Sequence, residues 1–322
     1  MARVGAIDCG TNSIRLLIAD VQDGGLSDVV REMKIVRLGQ GVDATGALAP
    51  EALERTFAAA EDYAVQLRSQ RVESLRFVAT SATRDAANRQ VFVDGIRDRL
   101  GAEPEVISGR EEAELSFTGA ASVLAPTPGE RVLVVDLGGG STEFVLGTAD
   151  GVLAALSTDM GCVRFTERYL RSDPPTAAEI AEAVADAEQH LARALDEVPL
   201  ADVDRLVGVA GSVTTITAHA LQLDQYRPEA IHGARLEGDR LDAACTSLLE
   251  MTRQQRAALP YMHPGRVDVI GAGALIWRTV SRRLAALTAG RVDGATASEH
   301  DILDGIALSA ATRLPTHRAP GT

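Results

Sequence analysis

The sequence predicts an α/β fold built twice, as two domains with mixed sheets. Two observations carry that prediction. Asp8, Gly10 and Ser13 recur as Asp136, Gly138 and Ser141, each 128 positions further on. After both copies, strand-like runs alternate with helical ones, which is the mark of an α/β domain. The length agrees, since 322 residues suit two domains at about 150 residues each.

Each copy opens on an apolar run that leads through Asp-x-Gly into a small-residue turn and resumes as a second apolar run, over 14–19 and 143–147. Both read as β-hairpins with polar tips. The first hairpin is followed by a third strand over 29–38 and by a helix over 50–70 that opens on Pro50, a residue favoured at helix starts. A strand over 75–80, a helix over 90–100, a short strand over 105–108 and a helix from Arg110 complete the copy. After the second hairpin come a strand over 152–158, helices over 162–171 and 176–198, a strand over 205–210, a helix from Ser212, and further helices to Leu314. The Pro126-Thr127-Pro128-Gly129 turn separates the copies. We therefore place domains at 1–125 and 126–314, with the last helix able to pack back on the first domain, and a loose tail at 315–322.

Composition narrows the function. A 46% hydrophobic and 24% charged chain has the apolar content for a sizeable core and is not disordered. A net charge of −13, with no basic stripe, argues against nucleic-acid binding. No run of 18 or more uncharged apolar residues suggests a membrane span, and the start lacks a signal-peptide stretch. Cys9, Cys162 and Cys245 are three widely spaced cysteines without a C-x-x-C pair, so a reducing cytoplasm is expected.

Several positions have the chemistry of an anion site. Gly138, Gly139, Gly140 and Ser141 form a glycine-rich turn between strands, where glycine permits φ > 0 and removes side chains that would block a phosphate. Asp8 and Asp136 end the leading strands, so both would face an interdomain cleft and hold Mg²⁺ through oxygen or water ligands. Gly211 and Ser212 lie where a strand passes into a helix N-terminus, a place that favours anions. Arg84 follows a strand and could reach a bound phosphate, as could Arg164 and Arg266. Ser108-Gly109-Arg110-Glu111 reads as a capping box in which Glu111 returns to the Ser108 N–H, leaving Glu112 without a structural task. His300-Asp301 lacks partner histidines for a metal cage and is read as incidental. No P-loop, dinucleotide fingerprint or nucleophile elbow occurs.

Taken together, Asp8-x-Gly-x-Asn12-Ser13, Ala79-Thr80-Ser81-Ala82-Thr83-Arg84-Asp85-Ala86, Ser108-Gly109-x-Glu111-Glu112-Ala113, Asp136-x-Gly-Gly-Gly-Ser-Thr-Glu143 and Gly161-x-Val163-Arg164 resemble the exopolyphosphatase and guanosine pentaphosphate phosphohydrolase family, over nearly the whole chain. The resemblance implies an actin-like, ribonuclease-H-like fold with two duplicated domains and a cleft between them. It implies Glu112 as the catalytic glutamate and Arg84 as a phosphate-contacting arginine. It places Asp136 and Glu143, with Asp8, at a Mg²⁺ site that Mn²⁺ could also fill. Asn12, Ser13, Gly138 to Ser141, Gly211 and Ser212 then make up the phosphate site.

The activity implied is Mg²⁺-dependent release of terminal orthophosphate from linear inorganic polyphosphate, in a cytoplasmic homodimer. Ile302-Leu303-Asp304-Gly305 departs from the family's Leu-Arg-Glu-Gly stretch. The chain also ends before the helical extension of long members, so shorter polyphosphate is the expected substrate. The alternatives are a guanosine pentaphosphate 5′-phosphohydrolase, a kinase of the same fold, and a non-catalytic sensor of polyphosphate or alarmone.

Overall fold

The computed structural model describes residues 2–22 and 25–313; the tail expected at 315–322 lies outside them. Five strands form the first sheet: β1 (Ala2–Cys9), β2 (Ser13–Gln22), β3 (Gly25–Ile35), β4 (Ser74–Ala79) and β5 (Glu105–Val106), in the order β3-β2-β1-β4-β5. β1, β2 and β3 pair antiparallel, whereas β4 and β5 add in parallel. The second sheet contains β6 (Val132–Leu137), β7 (Thr142–Thr148), β8 (Gly151–Thr158), β9 (Arg205–Val209), β10 (Arg235–Leu236) and β11 (Ala295–Ala297), in the order β10-β11-β9-β6-β7-β8. Its run β8-β7-β6-β9-β11 repeats the first sheet with the same strand directions. This is the duplicated actin-like arrangement. β10 and β11 lie where only helices were expected, because two or three residues carry no readable alternation.

Both sheets are apolar on two faces. Successive strand residues point to opposite sides, so Ile7, Cys9, Leu16 and Phe77 enter one core of the first sheet while Val4, Ala6, Leu17 and Val78 enter another. The first face is covered by the helices Pro50–Ser69 and Arg89–Leu100. The other is covered by the last helix, Ile302–Thr312, which supplies Ile302, Leu303 and Ile306. In the second sheet, Val132, Val134, Val145 and Val207 pack under the helix Gly109–Ala121 through Ala113 and Phe117. Its opposite face joins the largest core, around Trp277 and Phe165.

The two sheets have therefore exchanged helices. Gly109–Ala121 precedes the expected boundary at 125 yet covers the second sheet, and the last helix of the chain covers the first. These helices cross at very short range: a Cβ on Gly119 would stand 1.8 Å from the Asp301 carbonyl oxygen, and one on Gly305 2.1 Å from that of Leu115. Only glycine fits there.

Candidate active site

The hairpin turns meet at the cleft between the lobes. Each closes with the same bond: the Gly10 N–H donates to the Ser13 carbonyl at 2.9 Å, and the Gly138 N–H donates to the Ser141 carbonyl at 3.0 Å. The carbonyls of Gly138 and Gly139 accept from the amides of Cys162, Val163 and Arg164, which fixes the loop against the helix Cys162–Arg168. A cleft of about 100 Å³ is lined by both turns, by Glu112, and by Gly211 and Ser212.

Of the two reasons expected for glycine in the loop, the need for positive φ does not hold. None of Gly138, Gly139 and Gly140 has a positive φ. A Cβ on Gly140 would lie 2.5 Å from the Ser81 hydroxyl and 2.6 Å from that of Thr11, and one on Gly139 would lie 2.9 Å from Thr11 Cβ. Gly139 and Gly140 have no room for a side chain because the first lobe docks on them. The Ser81 hydroxyl is buried, has no hydrogen-bond partner among the described residues, and belongs to the wall of the cleft; it was not singled out in the sequence.

Four carboxylates gather here: Asp8, Glu112, Asp136 and Glu143, all buried. Asp136 at the end of β6 is the register partner of Glu143 on β7, so their side chains rise from the same face of the sheet. The Ser116 hydroxyl donates to Asp136 and the Ser157 hydroxyl donates to Glu143 at 2.7 Å. Burial, above all, pushes the carboxyls of Asp136 and Glu143 upward; Asp301 adds its negative charge on Asp136, and Glu112 on Glu143. Burial likewise pushes Glu112 up to about 7, against the Arg84 guanidinium. Arg84 Nη1 donates to Glu112 at 3.0 Å and to the Ile107 carbonyl at 3.1 Å. Arg84 is thus brought to the cleft through Glu112.

Asp8 is differently placed. Its partner across the hairpin is Arg15, whose Nε and Nη2 donate to Asp8 at 2.9 and 2.6 Å while Nη1 donates to Asp301 at 2.5 Å. The structure therefore shows Asp8 balanced by an arginine. Among the described residues no group of three or more His, Cys, Asp or Glu side chains is arranged to hold a metal, so Asp8, Asp136 and Glu143 do not form a three-ligand cage. The donor set that fits a divalent cation is the Asp136–Glu143 pair: Mg²⁺ commonly takes one or two carboxylates and keeps waters or substrate oxygens for the rest.

Other expectations are corrected by the contacts. Ser108 caps its helix by accepting from the Glu111 N–H at 3.2 Å, but the Glu111 carboxylate pairs with Arg76 at 2.5 Å and does not return to Ser108. Asp301 is no incidental residue, since it caps the last helix and anchors Arg15. Asn12 reaches across to the Gly265 carbonyl at 3.4 Å, and Ser13 lines the cleft. The Arg266 guanidinium lies over Gly211, 2.3 Å from where a Cβ would be. Just before it, Ala210 holds φ 70, a conformation that costs a non-glycine residue free energy and tends to occur at functional sites. Arg266 makes no ion pair among the described residues and donates to Thr215 at 3.1 Å. It borders a second chamber of about 450 Å³, which shares Arg15, Met33 and Gly211 with the first and where Tyr226, Tyr261 and Met262 add apolar surface.

A sequence model of the Ppx/GppA phosphatase family matches residues 17–310. The chain is 54% identical to exopolyphosphatase 2 of Mycobacterium tuberculosis, over 97% of its own length and 99% of that protein's. It is 34% identical to a guanosine-5′-triphosphate,3′-diphosphate pyrophosphatase of Vibrio atlanticus, over 76% of this chain and 48% of the other. Among solved structures it resembles an exopolyphosphatase-like protein (TM-score 0.93, 46% identity, 98% and 100% of the two chains). It also resembles the Aquifex aeolicus Ppx/GppA family member (TM-score 0.79, 29% identity, 97% and 98%).

Proposed function

Because this chain belongs to the Ppx/GppA phosphatase family, we propose that it is an exopolyphosphatase, a hydrolase that releases orthophosphate from the end of linear inorganic polyphosphate. The observation that carries the proposal is a buried carboxylate, Glu112, held by Arg84 beside the Asp136–Glu143 pair and the glycine loop, inside one interlobe cleft.

Phosphoryl transfer asks mainly for positioning and charge neutralisation. The Gly138–Ser141 loop, Ser81 and Arg266 line the space where the terminal phosphoryl group would lie. Glu112, when ionised, accepts the proton of the attacking water and orients it in line with the leaving phosphate. Arg84 sets the direction of that carboxylate. Asp136 and Glu143 would hold Mg²⁺ or Mn²⁺, which when bound supplies positive charge to the phosphoryl oxygens. The second chamber would receive the leaving side of the substrate.

A second reading, hydrolysis of guanosine pentaphosphate to the tetraphosphate, is supported by the size of that chamber and its aromatic walls, which suit a bulkier leaving group. We include a cytoplasmic setting in the proposal, supported by three free, buried cysteines, and a homodimer, for light scattering to test. No helix of the described residues is long and apolar enough to cross a membrane.

The deciding experiment is orthophosphate release with Mg²⁺ from short polyphosphate, long polyphosphate and guanosine pentaphosphate in parallel, for wild type and Glu112→Gln. Release from polyphosphate that vanishes in the variant supports the proposal; faster release from the nucleotide moves it to the second reading. Binding without release from any of the three would make the protein a sensor.

A further inference from the structure

Outside the lining of the second chamber, the helix Cys162–Arg168 presses three charged side chains against the first lobe. Arg164 Nε donates to the Gly140 carbonyl at 2.9 Å, its Nη1 to Asp43 at 2.5 Å, and its Nη2 to Asp85 at 2.6 Å. Arg168, one turn on, grips the same Asp43 through Nη2 at 2.6 Å and Nε at 2.9 Å. Between them the Glu167 carboxylate accepts from the Gly41 N–H at 3.1 Å. Spacings of three and four residues put all three on one helix face. Asp43 and Asp85 belong to the first lobe, whereas Gly140 is the phosphate loop of the second.

One guanidinium therefore ties the loop to both first-lobe carboxylates at once. Its side chain is only 13% exposed, and although Asp85 is 34% exposed, three acceptors held by one guanidinium form a network rather than an isolated surface pair. Arginine's planar fork suits three fixed acceptors, which the point charge of lysine cannot match. Arg164 does not line the central cleft, whose wall includes Glu112 and Asp136.

Resting on the exopolyphosphatase reading, we propose that Arg164 is a positioning residue: it clasps the phosphate loop to the first lobe and holds the cleft closed before substrate arrives. Without the clasp, substrate must close the lobes with its own binding energy. Apparent affinity then falls by the fraction of molecules that remain closed, while turnover of the closed complex keeps its rate.

The test compares wild type, Arg164→Ala, Arg164→Lys and the double variant Asp43→Asn/Asp85→Asn, which keeps the Gly140 contact but removes both anchors. Two readouts are taken: KM against kcat for Mg²⁺-dependent orthophosphate release from polyphosphate, and backbone amide exchange over 138–141 without substrate. Arg164→Ala and the double variant should each raise KM about tenfold with kcat within about threefold, and should speed exchange of the loop, with the lysine variant in between. Unchanged KM and exchange, or a loss confined to kcat or to thermal stability, would overturn the clasp. If the wild type releases no orthophosphate, the functional reading fails by itself, and loop exchange alone decides: faster in both variants supports the clasp, unchanged refutes it.

Discussion

Asp136 stands directly opposite Glu143 in the antiparallel register of β6 and β7. The same register position in the first hairpin pairs Asp8 with Arg15. The duplicated motif thus carries a neutralised pair in one copy and a pair of like charges in the other, and like charges directly opposite destabilise a sheet. Under the proposed function, that second pair is where a divalent cation would be held.

Removing one of the two carboxylates should weaken that cation's hold. Glu143→Gln should raise the Mg²⁺ concentration for half-maximal activity at least tenfold, and should abolish the rise in Tm that Mg²⁺ gives the wild type. An unchanged Mg²⁺ response would remove Glu143 from the metal site.

Glu112→Gln keeps the shape of the side chain and loses the base. The expected loss in kcat is about 10²- to 10⁴-fold with KM for polyphosphate within a few-fold. Turnover near the wild-type level would exclude Glu112 as the proton acceptor.

Glu112 also sets a pH dependence of stability. Its carboxyl is pushed up to about 7 in the folded chain, against about 4.3 unfolded. The folded state then binds the extra proton between those values, so the contribution is complete below about 4.3 and is lost as pH rises through 7. In EDTA, Glu112→Gln should therefore gain on wild type between pH 5 and pH 8, by an amount on the order of 3 kcal/mol. A difference in Tm that stays flat with pH would contradict this.

Arg15 balances two buried carboxylates, Asp8 and Asp301. Arg15→Met should destabilise the protein by about 3–5 kcal/mol, because it leaves them uncompensated. Asp8→Asn in the same chain should recover part of the loss, which denaturant titration of both variants would measure.

Much of this was legible in the residues. The hairpin repeat located both turns, and Glu112 stood out as the carboxylate left over once Glu111 was assigned to the cap, although Glu111 pairs with Arg76 instead. Arg15 was legible in principle, since the 128-residue offset leads from Glu143 back to it. Asp301 was not, because its task depends on a partner 286 residues away. The positive φ expected of the loop glycines is not found; Gly139 and Gly140 are also constrained by the approach of Thr11 and Ser81, and no local pattern reports a contact between lobes. β11 was missed because Ala-Thr-Ala is too short to show a period.

The exchange of helices at Gly119 and Gly305 bears on the order in which the chain can assemble during synthesis. Val4, Ala6, Leu17 and Val78 are made early, but the helix that shields them, Ile302–Thr312, is made long afterwards. Until it leaves the ribosome, the first sheet carries a bare apolar face, the kind of surface that invites aggregation. Final folding of the first sheet must therefore wait for Ile302–Thr312, and a chain that stops before Ile302 would leave that face uncovered.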